Sequence, residues 1–253
     1  MLRRSFIHLP GVGPKREQAV WRAGVRDWED FLDRGEQCLP PAVFRMGRPV
    51  VRRSLAALGR GEAGLAELAG MFPAAEHWRL VSHYSRLAFL DIETGGDPAE
   101  WGGITVVGVY AGGGLRQYVA GRDLHRAAHA LAGWQGVVTF GGASFDLPVL
   151  RRVFGNLVLP PLHLDLCRLL RRLGLRGGLK RIERRLGIPR PPEVEGLDGG
   201  DAVRLWREHM AGRRGALELL LRYNACDARN LEPLLARTLP ALEAQLMGRP
   251  LPW

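Results

Sequence analysis

The sequence predicts a mixed α/β domain that follows a small all-helical module. Three observations lead to this prediction. Short apolar segments rich in β-branched residues begin only after Arg86. Helical patterns alternate with those segments and then continue alone toward the end of the chain. The residues before Arg86 hold helical patterns and turns instead.

Five strands are predicted after Arg86. The turn Gly112–Gly114 joins a β-branched apolar segment at 104–111 to a return strand at 115–120, and the two should pair as a hairpin. The predicted elements are strands at 87–90, 104–111 and 115–120, a helix at 123–132, a strand at 136–140, a helix at 144–153, and a strand at 159–164. The remainder is predicted to be helical, apart from a loop at 189–200. This order predicts a mixed sheet flanked by helices.

The charge of the chain favours a polyanionic partner. Its formal net charge is +10 and its pI is about 10.6. However, Lys15 and Lys180 are the only lysines, and a surplus of arginine with much Ala, Gly and Leu is also typical of GC-rich codon usage. The position of the charge must therefore decide between these interpretations.

Composition also excludes several classes of protein. No run of 18 apolar residues is present, so no membrane span is expected, and residues 1–14 lack the apolar core of a signal peptide. The three cysteines are scattered and form no CxxC pair, which argues against a disulfide framework or a zinc site. We therefore expect a cytoplasmic protein.

Two acids mark the end of the first predicted strand, in Phe89-Leu90-Asp91-Ile92-Glu93. Because side chains alternate along a strand, Asp91 and Glu93 should point to the same face. Two buried carboxylates repel each other, and a divalent cation would relieve that repulsion. The alternative is an ordinary helix cap and a loop acid.

Two further acids follow in the chain. Asp146 comes after a strand and a glycine turn and lies in the first turn of a helix, where an acid can also be merely favourable to the helix. Tyr223 and Asp227 are four residues apart in a helical stretch and should share one face. Either signal alone is commonplace, and the combination is far more specific.

The order Asp-x-Glu, Phe-Asp, Tyr-x-x-x-Asp resembles the DEDD superfamily of 3′–5′ exonucleases, which includes polymerase proofreading domains and RNase D. The tyrosine indicates the tyrosine subclass. Residues 86–240 most resemble the YprB-type domain, in the segments Leu-Asp-Ile-Glu-Thr, Gly-x-x-Phe-Asp-x-Pro and Tyr-Asn-x-x-Asp. The resemblance implies an RNase H-like fold with a five-stranded sheet.

The resemblance also implies a two-metal mechanism. Its expected metal ligands are Asp91, Glu93, Asp146 and Asp227. Oxygen ligands without His or Cys favour Mg²⁺ or Mn²⁺ over Zn²⁺. The resemblance implies two such ions, about 4 Å apart. Asp91 would bridge both ions, Glu93 and Asp227 would hold the ion that activates water, and Asp146 would serve the other. Tyr223 would orient the attacking water, since its reference pKa near 10 makes it a poor base.

Gly141 and Asp165 lie near these motifs but are not expected to bind metal. Relatives often carry Asn at the position of Gly141, so this chain lacks a possible substrate contact there without losing a metal ligand. Asp165, which follows the fifth predicted strand, is interpreted as structural, with a catalytic role as the alternative.

A basic segment lies between the second and third acid motifs. Residues 168–190 contain nine basic side chains and one acid, Glu183. We expect this stripe to bind phosphates, and a solvated helix face is the alternative. The expected contacts of the catalytic domain with nucleic acid are Phe145, Lys180, Arg181, Arg184 and Arg185.

The segment Phe6–Arg16 resembles a helix-hairpin-helix motif. Gly11 and Gly13 would let the backbone approach a phosphate, and Lys15 and Arg16 would add positive charge. The motif could instead contact protein.

The predicted organisation is a helix-hairpin-helix module at 1–35, a helical connector at 36–85, an exonuclease domain at 86–240 and a tail at 241–253. The predicted partner is DNA or RNA, with a single-stranded end at the active site and no membrane. Three alternatives remain: a structure-specific endonuclease, a non-catalytic nucleic-acid-binding module, and an interaction subunit for an acidic protein.

Overall fold

The chain forms two compact units, Met1–Ser85 and Arg86–Trp253. The computed structural model describes residues 1–99 and 101–253. The first unit is helical, and the second is built on a sheet. In the part of the chain that is described, no helix has both the length and the apolar character needed to cross a membrane.

Four α-helices form the body of the N-terminal unit. They are α1 (Pro14–Arg22), α2 (Trp28–Arg34), α3 (Pro41–Gly59) and α4 (Glu62–Met71), and short 3₁₀ segments lie at Leu2–Arg4, Gly35–Gln37 and Ala74–His83. The proposed connector packs against the proposed module in this one unit, because the rings of Phe31 and Phe44 lie 5.5 Å apart. Asp27 caps α2 by accepting from the amide of Asp30, as its sequence position predicts.

A buried ion pair fixes the segment that precedes Gly11 and Gly13. The Glu17 carboxylate accepts from the amides of Phe6 (2.7 Å) and Ile7 (3.1 Å) and from Arg79 (2.8 Å). Glu17 and Arg79 are both almost completely buried. In residues 1–13 the helical content is the 3₁₀ segment alone, so the helix-hairpin-helix interpretation stays a prediction.

The second unit contains the predicted five-stranded sheet. Its strands are β1 (Leu87–Thr94), β2 (Ile104–Ala111), β3 (Gly114–Val119), β4 (Gly136–Thr139) and β5 (Leu162–Asp165). Their spatial order is β3-β2-β1-β4-β5. β1 runs antiparallel to β2 and parallel to β4, β2 and β3 form the predicted hairpin, and β4 is parallel to β5. The mixed α/β fold class is therefore confirmed.

Among the described residues of this unit, five α-helices accompany the sheet. They are α5 (Asp146–Val153), α6 (Leu166–Arg172), α7 (Leu179–Arg185), α8 (Gly199–Met210) and α9 (Ala216–Leu246). The helix predicted at 123–132 is instead a short 3₁₀ helix, Leu124–His129, because Asp123 accepts from the strand amide of Val119 and does not cap a helix. The tail proposed from residue 241 begins inside α9, where Ala241 and Leu242 are buried.

The two faces of β1 have different roles. Leu90 and Ile92 belong to a hydrophobic cluster that includes Leu131 and Leu150. The alternate residues, Asp91 and Glu93, therefore point away from that cluster, and α9 packs against β1 and β2. The sheet thus presents two acids to the helix that carries Asp227.

Candidate metal centre

Three carboxylates converge at the carboxyl end of β1. Asp91 and Glu93 come from the strand, and Asp227 comes from α9. One oxygen from each lies within 4.8 Å of the others. The predicted shared face of Asp91 and Glu93 is confirmed.

Asp146 borders this group as the first residue of α5. Its buried carboxylate accepts from its own amide and from the amide of Ile92, which separates the two acids of β1. Its negative charge contributes to raising the pKa values of both Asp91 and Glu93. All four predicted acids therefore interact electrostatically.

Asp165 shapes the turn that delivers Asp146. Its carboxylate accepts from the amides of Gly141 (2.8 Å), Ala143 (3.2 Å) and Cys167 (3.1 Å). One acid thus fixes the glycine turn before α5 and the start of α6. These contacts agree with the structural interpretation of Asp165.

Burial raises the pKa values of Asp91, Glu93 and Asp146. It raises the pKa of Asp91 well above the usual range, and the charges of Glu93 and Asp227 raise it further. The pKa of Glu93 is raised to about 8, first by burial and then by Asp227, and burial raises the pKa of Asp146 to about 7. A cation bound nearby would stabilise the ionised form of these buried acids.

The donor atoms fit a hard divalent cation. Among the described residues, Glu93 Oε1 is buried and has no hydrogen-bond partner. An unpaired buried carboxylate oxygen is costly, and metal coordination would satisfy it. A set of carboxylate oxygens without nitrogen or sulfur suits Mg²⁺ or Mn²⁺ better than Zn²⁺. The cluster could therefore hold such ions.

Asn224 is a site residue that the sequence analysis missed. Its side-chain amide donates to Asp91 Oδ2 (2.9 Å), and its oxygen accepts from Gln117 (2.9 Å). Gly108 lies opposite Asp91 in the register of β1 and β2, and a Cβ there would lie 2.2 Å from Asn224 Oδ1. A glycine within an apolar strand is a sign of such a close approach.

Tyr223 and Lys180 lie beside Asp227. The Lys180 ammonium donates to the Tyr223 hydroxyl, and it lies 4.2 Å from the Tyr223 ring centroid and 3.9 Å from Asp227 Oδ2. Burial and the nearby acids raise the pKa of Tyr223, so its hydroxyl remains protonated at neutral pH. Tyr223 can therefore donate a hydrogen bond but cannot act as a base.

The basic segment divides into exposed and buried parts. Arg181, Arg184 and Arg185 are exposed on α7, which also carries Lys180. The side chain of Arg190, by contrast, is only 6% exposed and is paired with the buried Glu183. The expected phosphate-binding stripe therefore does not include Arg190, whose side chain lies in the interior beside Glu183.

The other predicted nucleic-acid contacts occupy two places. Phe145, which directly precedes Asp146, is 49% exposed despite its large apolar ring. Lys15 and Arg16 are exposed at the start of α1 in the N-terminal unit, after Gly11 and Gly13.

A family model of the RNase H superfamily matches residues 88–239, which is more than half of the chain. The chain belongs to the RNase H superfamily. Among the solved structures, this RNase H-superfamily protein resembles the family B DNA polymerase from the hyperthermophilic archaeon Pyrobaculum calidifontis, with a TM-score of 0.50 and 19% identity. The likeness is one of fold, and it covers 62% of this chain and 25% of the polymerase. No curated protein matches the chain.

Membership of the RNase H superfamily supports a nuclease. RNase H-like nucleases use divalent metals, and the acidic cluster of this chain could bind them.

We expect metal binding and stability to depend on pH in opposite directions. The folded-state pKa values of Glu93 and Asp146 lie above those of free acids, so protons favour the folded state. Raising the pH from about 6 to about 9 should lower the Tm of the metal-free protein. The same deprotonation should strengthen Mg²⁺ binding, so the rise in Tm that Mg²⁺ produces should grow. Thermal unfolding in EDTA measures the Tm of the metal-free protein, and unfolding in Mg²⁺ measures the rise in Tm. A rise in Tm that does not change with pH would contradict the expectation.

Proposed function

We propose that the protein is a metal-dependent 3′–5′ exonuclease of the tyrosine subclass of DEDD enzymes, hydrolysing phosphodiester bonds in DNA or RNA. The observation that carries this proposal is the convergence of Asp91, Glu93 and Asp227, with Asp146 beside them. The order of these acids in the chain and the superfamily membership both support it. So does the fold shared with part of a DNA polymerase.

The four acids would hold Mg²⁺ or Mn²⁺. Bound ions of this kind supply an activated water and stabilise the leaving oxygen during displacement at phosphorus. Glu93 and Asp227 share a group with Asp91, whereas Asp146 approaches from α5. This arrangement supports the roles expected from the resemblance, with Asp91 central and Asp146 serving the second ion.

The protein side chains would orient the reactants. Asn224 holds the carboxylate of Asp91 in place. Tyr223 would donate its hydroxyl proton in a hydrogen bond to the attacking water, while its oxygen accepts from Lys180. Lys180 is half-buried beside Asp227 and would interact with the negative charge of the scissile phosphate.

Three sets of exposed residues would hold the substrate. Phe145 exposes an aromatic ring next to Asp146, and such a ring can stack on a base near the strand end. The exposed arginines of α7, Arg181, Arg184 and Arg185, would bind backbone phosphates. In the N-terminal unit, the hairpin with Lys15 and Arg16 would give a second, sequence-independent contact.

A labelled-end assay tests the proposed activity. We expect the protein to release nucleotides from a 3′ end in Mg²⁺ or Mn²⁺, and to be inactive in EDTA. Asp91→Asn should remove the activity because it weakens the central ligand. The substrates are single- and double-stranded DNA and RNA labelled at either end, which also reveals the preferred nucleic acid. Internal cleavage would favour a structure-specific endonuclease, and binding without cleavage would favour a non-catalytic module.

Tyr223 and Asp227 should differ in their effects. Tyr223→Phe removes one hydroxyl, and losing one oriented hydrogen bond in a transition state costs about 10²–10³ in rate. We expect this variant to be slow but measurable and to bind Mn²⁺ normally. Asp227→Ala should be inactive and should bind Mn²⁺ poorly. Single-turnover rates and Mn²⁺ titration separate the two, and a wild-type rate in Tyr223→Phe would disprove the subclass assignment.

The arginines of α7 should control the salt dependence of binding. Replacing Arg181, Arg184 and Arg185 with Ala should reduce the slope of log affinity against log salt by roughly one unit for each lost phosphate contact. The matched control replaces three other exposed arginines, Arg116, Arg122 and Arg126. An equal change of slope in both triple variants would show that only net charge matters.

A further inference from the structure

A buried arginine connects the acidic cluster to a second acid outside it. Arg190 Nη2 donates to Asp227 Oδ1 at 2.5 Å. The same guanidinium donates to both oxygens of Glu183, at 2.5 and 3.0 Å. The side chains of Arg190 and Glu183 are 6% and 0% exposed, so neither charge is solvated.

Hydrogen bonds to Glu183 fix the position of Arg190. Besides Arg190, Glu183 accepts from the side-chain amide of Asn230 at 3.0 Å. Arg190 is therefore fixed by two hydrogen bonds to a carboxylate that is itself anchored between α7 and α9. An arginine held in this way acts as an immobile donor, so it restricts the orientation of the carboxylate that accepts from it.

A contribution to the stability of the fold is a poor explanation for the buried Arg190–Glu183 pair. Burying two charges costs free energy that their attraction often fails to repay. Among the described residues, Arg190 Nη1 is also buried without a hydrogen-bond partner, which adds to the cost. The negative charge of Glu183 offsets the positive charge of Arg190, so the pair can hold Asp227 without cancelling the attraction of the cluster for cations.

We infer that Arg190, fixed by Glu183, is a positioning residue that holds Asp227 in the orientation needed to bind metal. This inference rests on the metal site proposed above. One oxygen of Asp227 is engaged by Arg190, which leaves Oδ2 facing Lys180 and available to a cation. Partners that orient metal ligands typically change metal affinity or activity by 10–100-fold.

The test compares Mn²⁺ affinity with metal-free stability. Arg190→Met alone would leave the charge of Glu183 buried and unpaired, so the main variant is Glu183→Gln combined with Arg190→Met. Neutral replacement of a buried pair often preserves stability. The matched control is Arg229→Met, an exposed arginine on the same helix as Asp227. Isothermal titration gives the Mn²⁺ affinity, and thermal unfolding in EDTA gives the stability.

We expect the double variant to unfold cooperatively near the wild-type Tm and to bind Mn²⁺ about 10–100-fold more weakly. The control should bind as the wild type does. Unchanged affinity in the double variant would overturn the inference. Tighter binding would also overturn it, because Arg190 would then be a cation that competes with the metal for Asp227.

A second variant keeps the test decisive if the double variant fails to fold. Arg190→Lys keeps the positive charge opposite Glu183, but a lysine cannot bridge two carboxylates with a planar fork. We expect weaker Mn²⁺ binding in this variant as well, and wild-type affinity would overturn the inference. If the wild type itself shows no Mn²⁺ binding that Asp91→Asn removes, the proposed metal site fails first and this inference fails with it.

Discussion

The repulsion among the acids at the end of β1 is the constraint on which the rest of the site depends. Asp91, Glu93 and Asp227 lie within one small volume, and Asp146 adds its charge from α5. Burial raises the pKa values of Asp91, Glu93 and Asp146, and neighbouring negative charges raise those of Asp91 and Glu93 further. Each must therefore be held by the fold against a force that would separate it from the others.

Neighbouring residues provide that support from different directions. Asn224 holds Asp91, the amide of Ile92 holds Asp146, and Arg190 holds Asp227. Asp165 supports the centre indirectly by ordering the turn before α5. In contrast, Glu93 Oε1 is buried and has no hydrogen-bond partner among the described residues. Such an oxygen is expected where a carboxylate would coordinate a cation.

Local rules were sufficient to predict much of the site. The two-residue repeat of a strand placed Asp91 and Glu93 on one face, and the helical repeat placed Tyr223 with Asp227. The roles of Asn224 and Arg190 could not be predicted in this way. Both depend on contacts with residues distant in sequence, and charge alone suggested that Arg190 was at the surface. The 3₁₀ helix at Leu124–His129 was missed for a similar reason, since Asp123 bonds to the preceding strand.

The departure at Gly141 is compatible with the turn that the site requires. Gly141 has a φ of +83°, a region that glycine adopts freely and that asparagine tolerates better than most residues. Glycine in place of the asparagine expected from the resemblance therefore omits a side chain, and the backbone path is one that either residue can adopt. The amide of Gly141 still donates to Asp165, so the turn continues to deliver Asp146.

The most direct test of this account is the anomalous diffraction of a crystal soaked in Mn²⁺. We predict two anomalous peaks at the carboxyl end of β1. One should be coordinated by Asp91, Glu93 and Asp227, and the other by Asp91 on the side of Asp146. The absence of any peak among these four carboxylates, in crystals that bind Mn²⁺ elsewhere, would contradict the account.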